Sequence, residues 1–313
     1  MRLNRGLPVL LDGAMGTELV RRGVRWRKHG LLTDADRIRQ LHEEYLAAGA
    51  EVIRTNTFQL NPRIYLNVFR NRDHMRHIGA PGLEDLTPKL LRTSVHAAKQ
   101  ARTNTGKEQH AAIAGVLAPL EHCFRPDLAP DFETASREQL ELARVFAEEE
   151  VDLLLGESMN TIAEACAVAE AARAVGLPVW ISFVIGPEGE LLSREPLATA
   201  IREVENLGAQ AVLVNCAPPV EIGRALVKVK ATARVPYGGF AHIGRFSPPS
   251  WKFEFFPQFS ETETWPPERC AHEAQRWQNE GATILGGCCG TTPAHIAGVA
   301  TALRLNAKGE RSA

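Results

Sequence analysis

The chain has 313 residues, 44% apolar and 23% charged, which excludes a collagen-like, disordered or low-complexity protein and leaves material for a sizeable core. Thirty-six Lys and Arg stand against 37 Asp and Glu, a formal net charge of -1, so no global field draws the protein to nucleic acid or to an anionic membrane. The expected partners are small molecules, and self-association is left open.

Asp12 breaks the first apolar run too early for a secretion signal, and no stretch approaches the ~18 uncharged apolar residues of a membrane span. The chain therefore reads as cytoplasmic. There its six cysteines stay reduced, and metal binding, catalysis or burial are their remaining uses.

Eight apolar runs of strand length follow in chain order, at residues 7–14, 51–58, 111–117, 151–157, 178–185, 211–216, 235–241 and 282–287. They lack strict polar alternation, as strands of a parallel sheet covered on both faces do. Amphipathic segments at 36–48, 137–150, 162–175, 196–207 and 222–233 lie between them, and Gly49, Gly176 and Gly208 fit helix stops. A last helix opens at Pro293. Eight strand–helix pairs in this length predict one (β/α)8 TIM barrel, a single α/β domain over residues 1–305, followed by a polar tail at 306–313. A doubly wound sheet is the alternative, but no G-x-G-x-x-G follows any strand. Two connections, 61–87 and 242–267, are too long for plain linkers.

Polar and sulfur-bearing groups collect at the carboxyl ends of these runs: Asp12-Gly13-Ala14, Thr55-Asn56-Thr57, Glu157-Ser158, Asn215-Cys216 and Gly286-Gly287-Cys288-Cys289-Gly290. In a barrel all of them converge on the face where active sites are built. Adjacent Cys288 and Cys289, flanked by glycines that permit a tight turn, can join Cys216 around one tetrahedral zinc ion with one position open, the layout of a catalytic site. A vicinal disulfide, plain buried cysteines and a structural zinc closed by a fourth cysteine are the other readings. Cys123, Cys166 and Cys270 read as packing residues. A three-thiolate zinc is a poor Lewis acid for water, but it stabilises a bound substrate thiolate, which implies attack by sulfur on an electrophilic carbon.

The segments LLDGAMGTEL (10–19), TNTF (55–58), VDLLLGES (151–158), VNC (214–216) and GGCCGTTPAHI (286–296), in order along nearly the whole chain, resemble the homocysteine S-methyltransferase family. The resemblance implies a zinc-dependent methyltransferase that converts homocysteine, or selenohomocysteine, to methionine. It implies zinc on Cys216, Cys288 and Cys289, with the amino group of homocysteine held by Asp12 and Glu157 and its backbone contact at Gly13. Thr55 and Thr57 are added as pocket-lining residues. Chemically, two carboxylates facing an ammonium give charge-assisted hydrogen bonds that position the sulfur. The chain departs from the family pattern at 114–119, 217–219 and 235–240, all on the side where the methyl donor is expected. Residues 244–267 hold seven of the chain's 20 aromatic residues, and aromatic faces attract methylated cations. The favoured donor is therefore a sulfonium such as S-methylmethionine. Another thiol acceptor, a corrinoid-protein donor and a non-catalytic zinc-binding barrel stay open as alternatives.

Overall fold

A computed structural model describes residues 8–24, 30–63, 86–247, 258–260 and 264–309. Eight parallel strands form one sheet: β1 (Val9–Leu10), β2 (Val52–Arg54), β3 (Ala112–Leu117), β4 (Leu153–Met159), β5 (Val179–Val184), β6 (Ala211–Asn215), β7 (Tyr237–Ala241) and β10 (Ile284–Gly287). Their order is β1-β10-β7-β6-β5-β4-β3-β2. A single parallel bridge between Leu11 and Val52 joins the two ends, so the sheet is a TIM barrel. Short strands β8 (Arg245–Ser247) and β9 (Gln258–Ser260) pair antiparallel in the long connection after β7.

Strand side chains alternate between two cores. Val52, Ala112, Ala114, Val116, Leu153, Leu155, Trp180, Leu213 and Phe240 fill the barrel interior. Ile53, Ile113, Leu154, Ile181, Val212 and Val214 pack outward against the helices. This is the period of two expected of extended chain, and both faces are apolar because both are covered. At the tightest place, a Cβ added to Gly238 on β7 would lie 1.7 Å from the carbonyl oxygen of Ile284, so only glycine lets β7 meet β10.

The outer layer comprises α1 (Gly16–Arg21), α2 (Ala35–Ala48), α3 (Thr87–Asn104), α4 (Phe132–Glu148), α5 (Ile162–Val175), α6 (Leu197–Asn206), α7 (Pro219–Thr232), α8 (Pro267–Asn279) and α9 (Pro293–Gly309). α2 and α5 stop at left-handed Gly49 and Gly176, as expected. α4 starts five residues before the sequence reading because the Asp131 carboxylate caps it, accepting from Thr134 N. α9 runs past residue 306, where a polar tail was expected. Between Thr301 and Lys308 no glycine or proline interrupts good helix formers.

Candidate active site

The thiol sulfurs of Cys216, at the end of β6, and of Cys288 and Cys289, just after β10, all lie within 4.8 Å of one another. The Cys288 and Cys289 sulfurs are 4.0 Å apart, and both residues are free thiols rather than a vicinal disulfide. Strict alternation would turn Asn215 inward and Cys216 outward. Cys216 instead adopts a left-handed backbone, φ 55°, which brings successive side chains to the same end of the barrel. Ser158 does the same after Glu157, with φ 62°, next to a register shift in β4. Non-glycine residues held in this region cost of order 1 kcal/mol or more and tend to mark functional sites. A buried chain of hydrogen bonds supports the turn, with Ser182 Oγ donating to Asn215 Oδ1 and Asn215 Nδ2 donating to Ser158 Oγ at 2.7 Å. On the other side, Thr291 Oγ1 donates to Cys288 O at 2.6 Å and accepts from Ala14 N, fixing the cysteine turn against the loop after β1.

The acidic pair is organised by a residue that the sequence reading passed over. Arg54 ends β2 and points into the barrel, two residues on from inward-facing Val52. Its Nε donates to Asp12 Oδ1 at 2.6 Å, and its backbone N donates to Asp12 Oδ2 at 2.9 Å. Nη1 donates to Glu157 Oε1 at 3.2 Å, and Nη2 donates to the carbonyls of Asp12, Gly13 and Gly287. The guanidinium also lies 4.8 Å from the centre of the Phe240 ring. Asp12 and Glu157 thus come together at one place, each bonded to the same buried cation. The signal was a lone arginine inside an apolar strand run, a residue type almost never fully buried unless paired.

Burial raises the Asp12 carboxyl above its ordinary value, with Arg54 pulling it back. Glu157 is pushed up to about 7, chiefly by burial, against the opposing pull of Arg54 and with Cys288 and Asp12 adding to the rise. Hydrogen bonds from Cys216 and Cys289, together with the Arg54 charge, hold Cys288 well below the usual thiol range. Cys216, which donates to its neighbours, is pushed up.

Thr55 and Thr57 lie beside this network and tie β2 to β3. Their hydroxyls are 2.8 Å apart, Thr57 Oγ1 donates to Val116 O, and Thr55 Oγ1 accepts from Val116 N. Cys166 and Cys270 lie on α5 and α8, away from the thiol cluster. Cys123 is buried in the loop after β3. Of the aromatic stretch, Trp251, Phe253, Phe255 and Phe256 lie outside the described residues. Trp265 is described, with the Arg269 guanidinium stacked 3.6 Å over its ring.

A TIM barrel that gathers three thiols and a charged network at the carboxyl ends of its strands has the layout of an enzyme active site. Residues 9–303 match the family model described as homocysteine S-methyltransferase, and the chain belongs to that family and is a methyltransferase. It is 28% identical to betaine–homocysteine S-methyltransferase 1 of Bos taurus, over 96% of this chain and 74% of that one. Identity is also 28% to the S-methylmethionine–homocysteine S-methyltransferase of Pongo abelii, over 96% and 80% of the two chains. Among solved structures, the metallated form of the homocysteine methyltransferase MmuM from Escherichia coli shares the fold, with a TM-score of 0.74 and 23% identity over 94% of this chain and 96% of that one.

Proposed function

We propose that the protein methylates the sulfur of homocysteine, or the selenium of selenohomocysteine, to give methionine or its selenium analogue, using zinc and a small methyl donor. The observation that carries this is the convergence of three thiols within 4.8 Å beside a buried acidic pair. The donor set fits zinc: all three atoms are soft sulfurs, and among the described residues no fourth His, Cys, Asp or Glu joins them. Zinc, when bound by Cys216, Cys288 and Cys289, supplies the positive charge that keeps a substrate thiol ionised near neutral pH.

The rest falls to the chain's own groups. The Asp12, Arg54 and Glu157 network and the Gly13 backbone orient the amino acid portion, while the Ser182, Asn215 and Ser158 chain fixes the direction of Cys216. Thr55 and Thr57 hold the β2 end in place from the side. The favoured donor is a sulfonium such as S-methylmethionine. Its methyl carbon bonds to the acceptor sulfur as the carbon–sulfonium bond breaks, and the departing thioether keeps the electron pair.

The test incubates zinc-loaded protein with homocysteine and, separately, methyl-labelled S-methylmethionine, S-adenosylmethionine, betaine or methylcobalamin, and follows label into methionine. Label from S-methylmethionine is the expected result. Label from methylcobalamin would move the donor to the corrinoid class. Failure with every donor overturns the reading and leaves another acceptor thiol or a non-catalytic zinc-binding barrel.

A further inference from the structure

Arg54 is a buried cation set between the two members of the acidic pair. Both oxygens of Asp12 accept from Arg54, and the Asp12 side chain is 0% exposed. Glu157 gives only Oε1 to the same guanidinium, at the longer distance of 3.2 Å, and its side chain keeps 11% exposure. Among the described residues, nothing donates to Glu157 Oε2. Arg54 is thus in ion-pair contact with both acidic side chains, and Glu157 is the one it holds more loosely. A buried polar atom without a partner is costly, and of the four carboxylate oxygens only Glu157 Oε2 is left to receive a donor from a ligand.

We propose that Arg54 is the specificity-setting positioning residue of the acceptor pocket: it takes up Asp12 and leaves Glu157 as the single carboxylate that reads the ammonium of the acceptor. Asp12 then acts on the substrate only through Arg54, by holding its guanidinium in place. Five hydrogen-bond donors in a fixed planar fork suit Arg54 to this, because one side chain bridges the ends of β1, β2, β4 and β10 at once. This inference rests on the reading that the site takes an amino-acid thiol.

Competition between Arg54 and the ammonium for Glu157 gives an unusual expectation for variants. Asp12→Asn weakens the hold of residue 12 on Arg54 and releases its fork to take both oxygens of Glu157, which closes that carboxylate to the ammonium. Adding Arg54→Gln removes the competitor for Glu157 and should restore binding. The measurement is calorimetric affinity of zinc-loaded protein for homocysteine and for 4-sulfanylbutanoate, the same thiol without its amino group, with zinc content checked in each variant. Wild type is expected to prefer homocysteine by about tenfold or more, the worth of one hydrogen bond between charged groups. Glu157→Gln should bring that preference close to one. Asp12→Asn should lower homocysteine affinity by about tenfold and spare the desamino thiol, and the double variant Asp12→Asn with Arg54→Gln should return to within about threefold of wild type.

If the double variant stays as poor as Asp12→Asn, Asp12 touches the ammonium itself and the proposal fails. Equal binding of both thiols by wild type overturns this proposal alone, whereas binding of neither overturns the functional reading with it. Should the double variant not fold, a crystal structure of the homocysteine complex decides: Arg54 on both Asp12 oxygens with the ammonium on Glu157 supports the proposal, and the ammonium on Asp12 refutes it.

Discussion

Glu164 offers a stability test well separated from the chemistry. It sits in the first turn of α5, 0% exposed, with Oε1 accepting from Leu120 N at 2.9 Å and Oε2 without a hydrogen-bond partner among the described residues. Burial pushes its carboxyl from 4.5 up to about 7, Leu120 N and Arg63 pulling back and Glu121 adding to the rise. At about 1.4 kcal/mol for each tenfold change in ionisation, carrying the charged form costs the native state about 3 kcal/mol. The sign follows from linkage. The native value is raised, so the contribution is whole below about 4.5 and is lost as pH climbs through about 7. Glu164→Gln keeps an oxygen for Leu120 N and removes the ionisation. Urea unfolding at a series of pH values should show the variant level with wild type near pH 4 to 5 and more stable by up to about 3 kcal/mol near pH 8. Curves that stay parallel across that range, or a variant weaker than wild type at about pH 8, would refute the reasoning.

Replacing Cys216, Cys288 or Cys289 by Ala should each lower zinc affinity by more than ~100-fold, read by competition with a chromophoric chelator, because each removes one of the three proposed ligands. Cys166→Ala should leave that affinity unchanged. Gly238→Ala places a methyl group on the Ile284 carbonyl and should give no soluble, folded protein by circular dichroism. Asp131→Ala removes the α4 cap and should cost about 1 kcal/mol in urea unfolding, with activity retained.

Much of the barrel was legible because each β run is apolar on both faces and short, a pattern that only doubly covered parallel strands need. The eight runs overlap the eight barrel strands, though β1 shrinks to Val9–Leu10 and its flanks are irregular. The thiol cluster was legible too, since glycine-flanked Cys288 and Cys289 and strand-final Cys216 could meet only at one end of a barrel. Arg54 was not, because a lone charge within an apolar run is ordinarily taken for a strand end turned to solvent. Seeing it required knowing that Asp12 and Glu157 sit on either side of it. Nor does the sequence announce the left-handed turns at Ser158 and Cys216, which no glycine marks. The start of α4 was missed for a simpler reason: its first turn, Phe132 to Ala135, carries no apolar period, and Asp131 alone defines it.

The seam between β1 and β2 is held by one bridge, at Leu11 and Val52, and the next rung up is made by the Asp12 carboxylate gripping the Arg54 amide. Where every other neighbouring pair is stitched by a backbone ladder, this join is fastened partly by a carboxylate clasp. Hydrogen exchange at the Arg54 amide therefore reports on the integrity of the join and on the electrostatic state of the site together. Weakening the clasp loosens the barrel where its walls come full circle.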